Sequence, residues 1–241
     1  MTSGEAVFLA GDQGDRLVGA VAMLAATMTV PFAIIGGIAV SVRAGPYRAT
    51  SDVDAVVNEN DVQLAVSDLA GEAGGSRVFV DGTNVDLLGV GVVGPGDTDG
   101  LNDHQALFVL AHEWALTTAS PAGISCRAIA EPVVAPFASP FALIAMKLPA
   151  FEDRSASSAT NKRASDAADI YHLLLDCPGE IASGLADATA ALRHALTAAA
   201  TRVLLTNADA TARLARSADR NIGDLRGETL AALAQPLLGL H

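Results

Sequence analysis

Aromatic residues make up only 4% of the 241-residue chain: one Trp, two Tyr and seven Phe. The core must therefore rest on Ala, Val and Leu, and the length is ample for one large domain or two small ones. Basic residues are scarce too, 15 Lys and Arg against 27 Asp and Glu, giving a formal charge of −12 and a pI near 4.6. That balance argues against broad, non-specific nucleic-acid binding, so a nucleic-acid substrate would need a local basic patch. The two cysteines, Cys126 and Cys177, have neither metal-ligand nor redox spacing. They read as packed thiols in a reduced, cytoplasmic setting. The N-terminal stretch lacks the basic region of a signal peptide. Residues 17–42 carry no charge, which by hydropathy alone suggests a membrane span. Pro31 and Gly36-Gly37 interrupt that run, however, so a helix followed by a buried strand is expected, with no membrane partner. No repeat with a period of roughly 20–50 residues is visible, which excludes a solenoid.

What is present centres on residues 32–57. FAII is a continuous apolar run bounded by Pro31 and Gly36-Gly37, the pattern of a buried strand. The glycines permit a sharp turn and close approach of a ligand to the backbone. IAVSVRA can then start a helix whose first N–H groups face that turn. Asp52-Val53-Asp54 precedes the apolar Ala55-Val56-Val57, and on a strand residues two apart share a face. Asp52 and Asp54 thus project together beside the glycine turn. Paired carboxylates repel unless a cation lies between them, and an all-oxygen ligand set suits Mg²⁺ or Mn²⁺.

This arrangement resembles the nucleotidyltransferase superfamily: a strand, a Gly-Gly or Gly-Ser turn, and an Asp-x-Asp strand. More narrowly, GGIAVSVRAGPYRATSDVD resembles the form found in AbiEii-type enzymes, which include toxins of toxin–antitoxin pairs. Gly36, Gly37, Ala39, Arg48, Thr50, Asp52 and Asp54 carry the likeness. It implies an α+β fold, a nucleotidyltransferase-like mixed sheet with flanking helices followed by a helical C-terminal region. It also implies an NTP substrate at Gly36 and Gly37, with Arg48 and Thr50 touching phosphate or bracing the turn. An RNA acceptor such as a tRNA end and a cognate antitoxin would be the partners.

Beyond this unit, Arg77–Val80 and residues 84–90 read as strands around an Asp81-Gly82 hairpin turn. Asp86 stands alone in the apolar Val85-Asp86-Leu87-Leu88 and needs a partner or a cation. The resemblance would make it the third metal ligand, although a satisfied edge-strand Asp is the plainer alternative. Asn60-Asp61 reads as the N-cap of a helix through VQLAVSDLA, ended by Gly71 and Gly74-Gly75. GVGVVG, residues 89–94, matches G-x-G-x-x-G but leads into Pro95-Gly96-Asp97 rather than a helix, and is rejected as a dinucleotide fingerprint. A helix is expected over 103–118. His112-Glu113 within it is rejected as a zinc motif because Leu116 occupies the second histidine's place. A last strand is expected over 124–134.

Pro140 opens a helix, FALIAMKLPAF, with Lys147 its only charge. A polar, exposed loop is expected over 152–163, then a helix capped by Ser165. The spacing of Lys147 and Asp169 also resembles AbiEii-type chains, where Lys and Asp flank the nucleotide. Lys147 snorkelling to water is the bland alternative, and Asp166 could cap the helix or pair with Arg163. Residues 180–241 repeat Ala, Leu and Arg at helical spacing without a catalytic constellation. The domain limits expected are 1–138 for the α/β core and 139–241 for a helical region completing the nucleotide site. The catalytic set would be Asp52, Asp54, Asp86, Lys147 and Asp169, and the chemistry transfer of NMP from an NTP to a hydroxyl. Two rivals stand beside it: the same chemistry on a small cationic molecule such as an aminoglycoside, and an inactive interaction protein of the same fold.

Overall fold

Leu17, Val21 and Leu24 recur three to four residues apart and form the buried side of α1 (Gly11–Thr27). In this computed structural model residues 6–70, 75–91, 94, 98–154 and 160–238 are described. Gly71 and Gly74, the Pro95-Gly96-Asp97 segment and residues 155–159 of the expected polar loop lie outside them. The backbone clusters into two compact units, one of residues 1–92 with 112–139 and one of residues 93–111 with 140–241.

The first unit holds a mixed seven-stranded sheet with helices. FAII forms β2 (Phe32–Ile35), and α2 (Gly36–Ala44) follows without an intervening turn. The helix therefore begins two residues earlier than its sequence suggests, because Gly36 adopts φ +70° and bends the chain directly out of the strand. β3 (Asp52–Asn58) comes next, then α3 (Val62–Ala70), β4 (Arg77–Val80) and β5 (Thr83–Val90). The cap before α3 is not Asn60-Asp61. Asn58 does that work, accepting from Asn60 N–H at 3.0 Å and closing a short 3-10 turn first. Asp81 (φ 46°) and Gly82 (φ 76°) both take the left-handed conformation that a two-residue hairpin turn demands.

α4 (Asp103–Thr117) leads to β6 (Ser120–Ser125) and β7 (Val133–Phe137). The single strand expected over 124–134 is thus two antiparallel strands. Pro121 and Pro136 sit opposite each other in their register, so two donor-free positions coincide across the pair. A two-residue strand, β1 (Val7–Phe8), adds parallel to β6. The sheet order is β1-β6-β7-β2-β3-β5-β4. β3 lies antiparallel to β2 and parallel to β5, and β4 lies antiparallel to β5.

The second unit is helical: α5 (Pro140–Asp153), α6 (Thr160–Asp176), α7 (Pro178–Asp187), α8 (Ala190–Ala200), α9 (Ala208–Ala218) and α10 (Gly227–Leu233). Both ends of the expected 152–163 loop are therefore helix. Ser165 is not a cap, since it lies inside α6 and its hydroxyl donates to Asn161 O at 3.1 Å. Small residues let these helices close up: a Cβ on Gly184 would collide with Phe141. A π-helical turn, Thr201–Thr206, joins α8 to α9. Thr211 donates to Val203 O within it at 2.9 Å, satisfying a carbonyl that the wide turn strands. Cys126 and Cys177 are buried, and neither forms a disulfide. Among the described residues no helix is long and apolar enough to cross a membrane.

Candidate metal centre

The register of β3 against β5 sets the geometry. Asp54 lies beside Asp86, and Asp52 beside Asn84. Because paired residues in neighbouring strands share a face, all three carboxylates emerge on one side of the sheet while Val53, Ala55, Val85 and Leu87 are buried on the other. One oxygen from each of Asp52, Asp54 and Asp86 falls within 4.8 Å of the others. This is the only group of three or more His, Cys, Asp or Glu that the described residues bring within ligand distance.

Two further contacts shape it. Thr50 donates to Asp52 Oδ1 at 3.3 Å. Arg77 of β4, opposite Asp86 in the hairpin, forks onto it with Nε–Oδ1 at 2.5 Å and Nη2–Oδ2 at 2.7 Å. Hydrogen bonding to Asp86 and its charge, with smaller contributions from Asp52 and Asp54, hold the Arg77 guanidinium above its ordinary pKa. Arg77 is the residue that sequence reasoning missed. A two-residue turn at Asp81-Gly82 pairs Val80 with Thr83 and so carries Arg77 to Asp86, which was the signal available.

The three carboxylates outnumber the Arg77 guanidinium on Asp86 and the Arg48 guanidinium that stands against Gly37, so the cluster keeps net negative charge for a cation. Each carboxylate oxygen has two lone pairs, so Asp86 can hold Arg77 and still offer a ligand. The donor set fits Mg²⁺ or Mn²⁺.

The start of α2 adjoins this cluster. A methyl group added at Gly36 would fall on Oδ2 of Asp54. At Gly37 it would stand 2.8 Å from Arg48 Nη2 and 3.0 Å from Thr50 Oγ1. Both glycines are therefore needed for close approach, and Arg48 and Thr50 lie against the second. Arg48 is further held by Tyr47 Oη and Ala49 O, each at 3.3 Å.

In the helical unit Lys147 does not snorkel. Its Nζ reaches Asp169 Oδ2 at 2.7 Å and Asp166 Oδ1 at 3.0 Å, and its side chain is 13% exposed. Asp166 also receives Arg154, while Arg163 lies 4.4 Å above the Phe151 ring. A second charged group in the same unit joins His104, Glu152, Asp153 and Arg202 around a cavity of about 450 Å³. Burial pushes Glu152 up, but hydrogen bonds from Arg202 and His104 and their charges outweigh it and hold the carboxyl below its ordinary value.

No protein-family model, curated protein or solved structure matches this chain. What the fold and the cluster define is an α+β protein with a three-carboxylate site on β3 and β5 beside the start of α2.

Proposed function

We propose that the chain is a metal-dependent nucleotidyltransferase that moves NMP from an NTP to an acceptor hydroxyl. The observation that carries this reading is the triad of Asp52, Asp54 and Asp86 set against the glycine start of α2. These three residues would hold Mg²⁺ or Mn²⁺. When bound, a divalent cation supplies Lewis-acid stabilisation of the attacking and leaving oxygens. The chain contributes the rest. Backbone N–H groups at the start of α2 present the positive end of a helix to the triphosphate, and the glycines let phosphate approach. Arg48 and Thr50 bound that approach at Gly37. The acceptor oxygen forms a bond to the α-phosphorus, the bond from that phosphorus to the bridging oxygen breaks, and pyrophosphate leaves. The hydroxyl proton passes to water.

By resemblance, Lys147 is assigned to neutralising triphosphate charge and Asp169 to orienting Lys147 or the acceptor. That assignment is a separate proposal, tested by titrating Lys147→Ala with NTP. An AbiEii-like toxin acting on RNA such as tRNA, with a cognate antitoxin, follows from the same resemblance. A small polycationic acceptor such as an aminoglycoside is the second reading, favoured by the net charge of −12. One experiment addresses both: each labelled NTP incubated with Mg²⁺ or Mn²⁺ and either total RNA or aminoglycosides. Label transfer that is abolished in Asp54→Ala supports the reading. Absence of transfer and of pyrophosphate release under every condition rejects it.

A further inference from the structure

Asp86 stands between charges of opposite sign in one row across the sheet, Asp54 on β3 and Arg77 on β4. Arg77 meets it as a fork, Nε to Oδ1 at 2.5 Å and Nη2 to Oδ2 at 2.7 Å, so both carboxylate oxygens receive an N–H. The next row sets Asp52 beside Asn84, a neutral amide where the first row has an acid. Asp86 also lies one strand further than Asp52 and Asp54 from β2 and its glycine exit. Transfer through two divalent cations holds them about 3.5–4 Å apart, which asks for carboxylate oxygens on both. Here the outermost acid of the triad already carries a guanidinium across its two oxygens.

We propose that Arg77 stands in for a second divalent cation, so that the chain works with one metal ion and one guanidinium. The proposal rests on the nucleotidyl-transfer reading and deepens it. Asp52 and Asp54 hold the cation, and Asp86 is shared between it and Arg77. A guanidinium suits the second place. It is charged at every working pH, and Arg and Mg²⁺ do the same work on a transferring phosphoryl group, offsetting the charge on its oxygens. Of the five N–H donors of Arg77, two are spent on Asp86, and three remain for phosphate oxygens. Its 67% exposure leaves the side chain open to an incoming ligand. A second divalent cation would instead face a positive group fixed to the same carboxylate, with fewer acids left to offset it. Bracing of the hairpin is the plainer account of a cross-strand pair, and it makes no demand on the number of cations bound.

The test counts Mn²⁺ on the full chain by equilibrium dialysis and records its electron paramagnetic resonance, with and without α,β-methylene NTPs, which cannot be cleaved at the α-phosphorus. The parent should hold about one Mn²⁺, with the signal of an isolated ion. Arg77→Gln with the analogue should take up a second Mn²⁺ and show the spin coupling of two ions about 3.5–4 Å apart. Arg77→Lys, which keeps the charge, should stay with a single ion. A spin-coupled pair in the parent or in Arg77→Lys, or a single uncoupled Mn²⁺ in Arg77→Gln, overturns the proposal. A parent that transfers NMP while Arg77→Gln keeps a single ion loses only the Arg77 assignment. An isolated ion in the parent and a coupled pair in Arg77→Gln, with no transfer by either, leave that assignment standing and remove the transfer reading. A parent that binds no Mn²⁺ overturns both.

Discussion

Asp54 has Gly36 against one side and Asp86 beside it in register. Replacing it by Asn removes one repelling charge, so on the proposed metal reading Asp54→Asn should melt higher than the parent without metal, and Mn²⁺ should raise the melting temperature of the parent but not of the variant. Differential scanning with and without Mn²⁺ checks both signs. Arg77 tempers the same repulsion. Arg77→Gln should lower stability without metal and enlarge the rise in melting temperature on adding Mn²⁺, because more uncompensated charge awaits the cation. A smaller metal-induced rise than in the parent would count against the charge argument. Gly36→Ala should cost about 1–2 kcal/mol from its left-handed backbone alone and should also displace Asp54, so a variant of parental stability would contradict the close approach. Asp52, Asp54, Gly36 and Gly37 were legible from local spacing, since a strand's alternation and a glycine pair are short-range patterns. Arg77 was not singled out because its meaning lies in a cross-strand register rather than in its neighbours.

At the scale of elements, α5 and α6 are joined by charge inside an apolar surround. Asp166 and Asp169 are 2% and 0% exposed, and Lys147 holds both. Lys147→Met removes the cation that Asp166 and Asp169 share, leaving Arg154 on Asp166, and should cost about 3–5 kcal/mol. Urea unfolding measures it, and adding Asp169→Asn should return part of the loss. The tie of Arg202 to Glu152 acts differently. Glu152 is depressed in the fold, so its contribution is present above the ordinary carboxyl range and is lost as pH falls through the folded value. Melting temperatures from neutral to acid pH should fall less steeply in Arg202→Met than in the parent. α1 was legible from apolar residues three to four apart, β2 from a continuous apolar run between Pro31 and Gly36, and β3 from the alternation of Asp52 and Asp54 with Val53 and Ala55. β1 was not, since two residues carry no period. The β6–β7 pair was obscured by prolines, which argue against a strand in sequence but here lie opposite each other in the register, Pro121 facing Pro136. The Ser165 cap failed because α6 begins earlier, at Thr160.

At the scale of the whole molecule, the unit boundaries matter more than chain order. Residues 93–111 cluster with residues 140–241, and Leu107, Leu110 and Ala111 of α4 are buried. A fragment of residues 1–139 keeps those side chains without the packing of its own unit, so it should bind a hydrophobic dye and aggregate where the full chain does not. The parallel neighbours Asp54 and Asp86 carry one further consequence, and it concerns time. They are distant in sequence, so a cation senses them together only after β3 and β5 have zipped. A ligand of this kind acts as a latch rather than a nucleus. Saturating Mn²⁺ at about 100 times its dissociation constant should slow unfolding by roughly 100-fold and leave the refolding rate unchanged. Stopped-flow traces in which both limbs shift equally would mean that this strand pair is already built when the chain commits to fold.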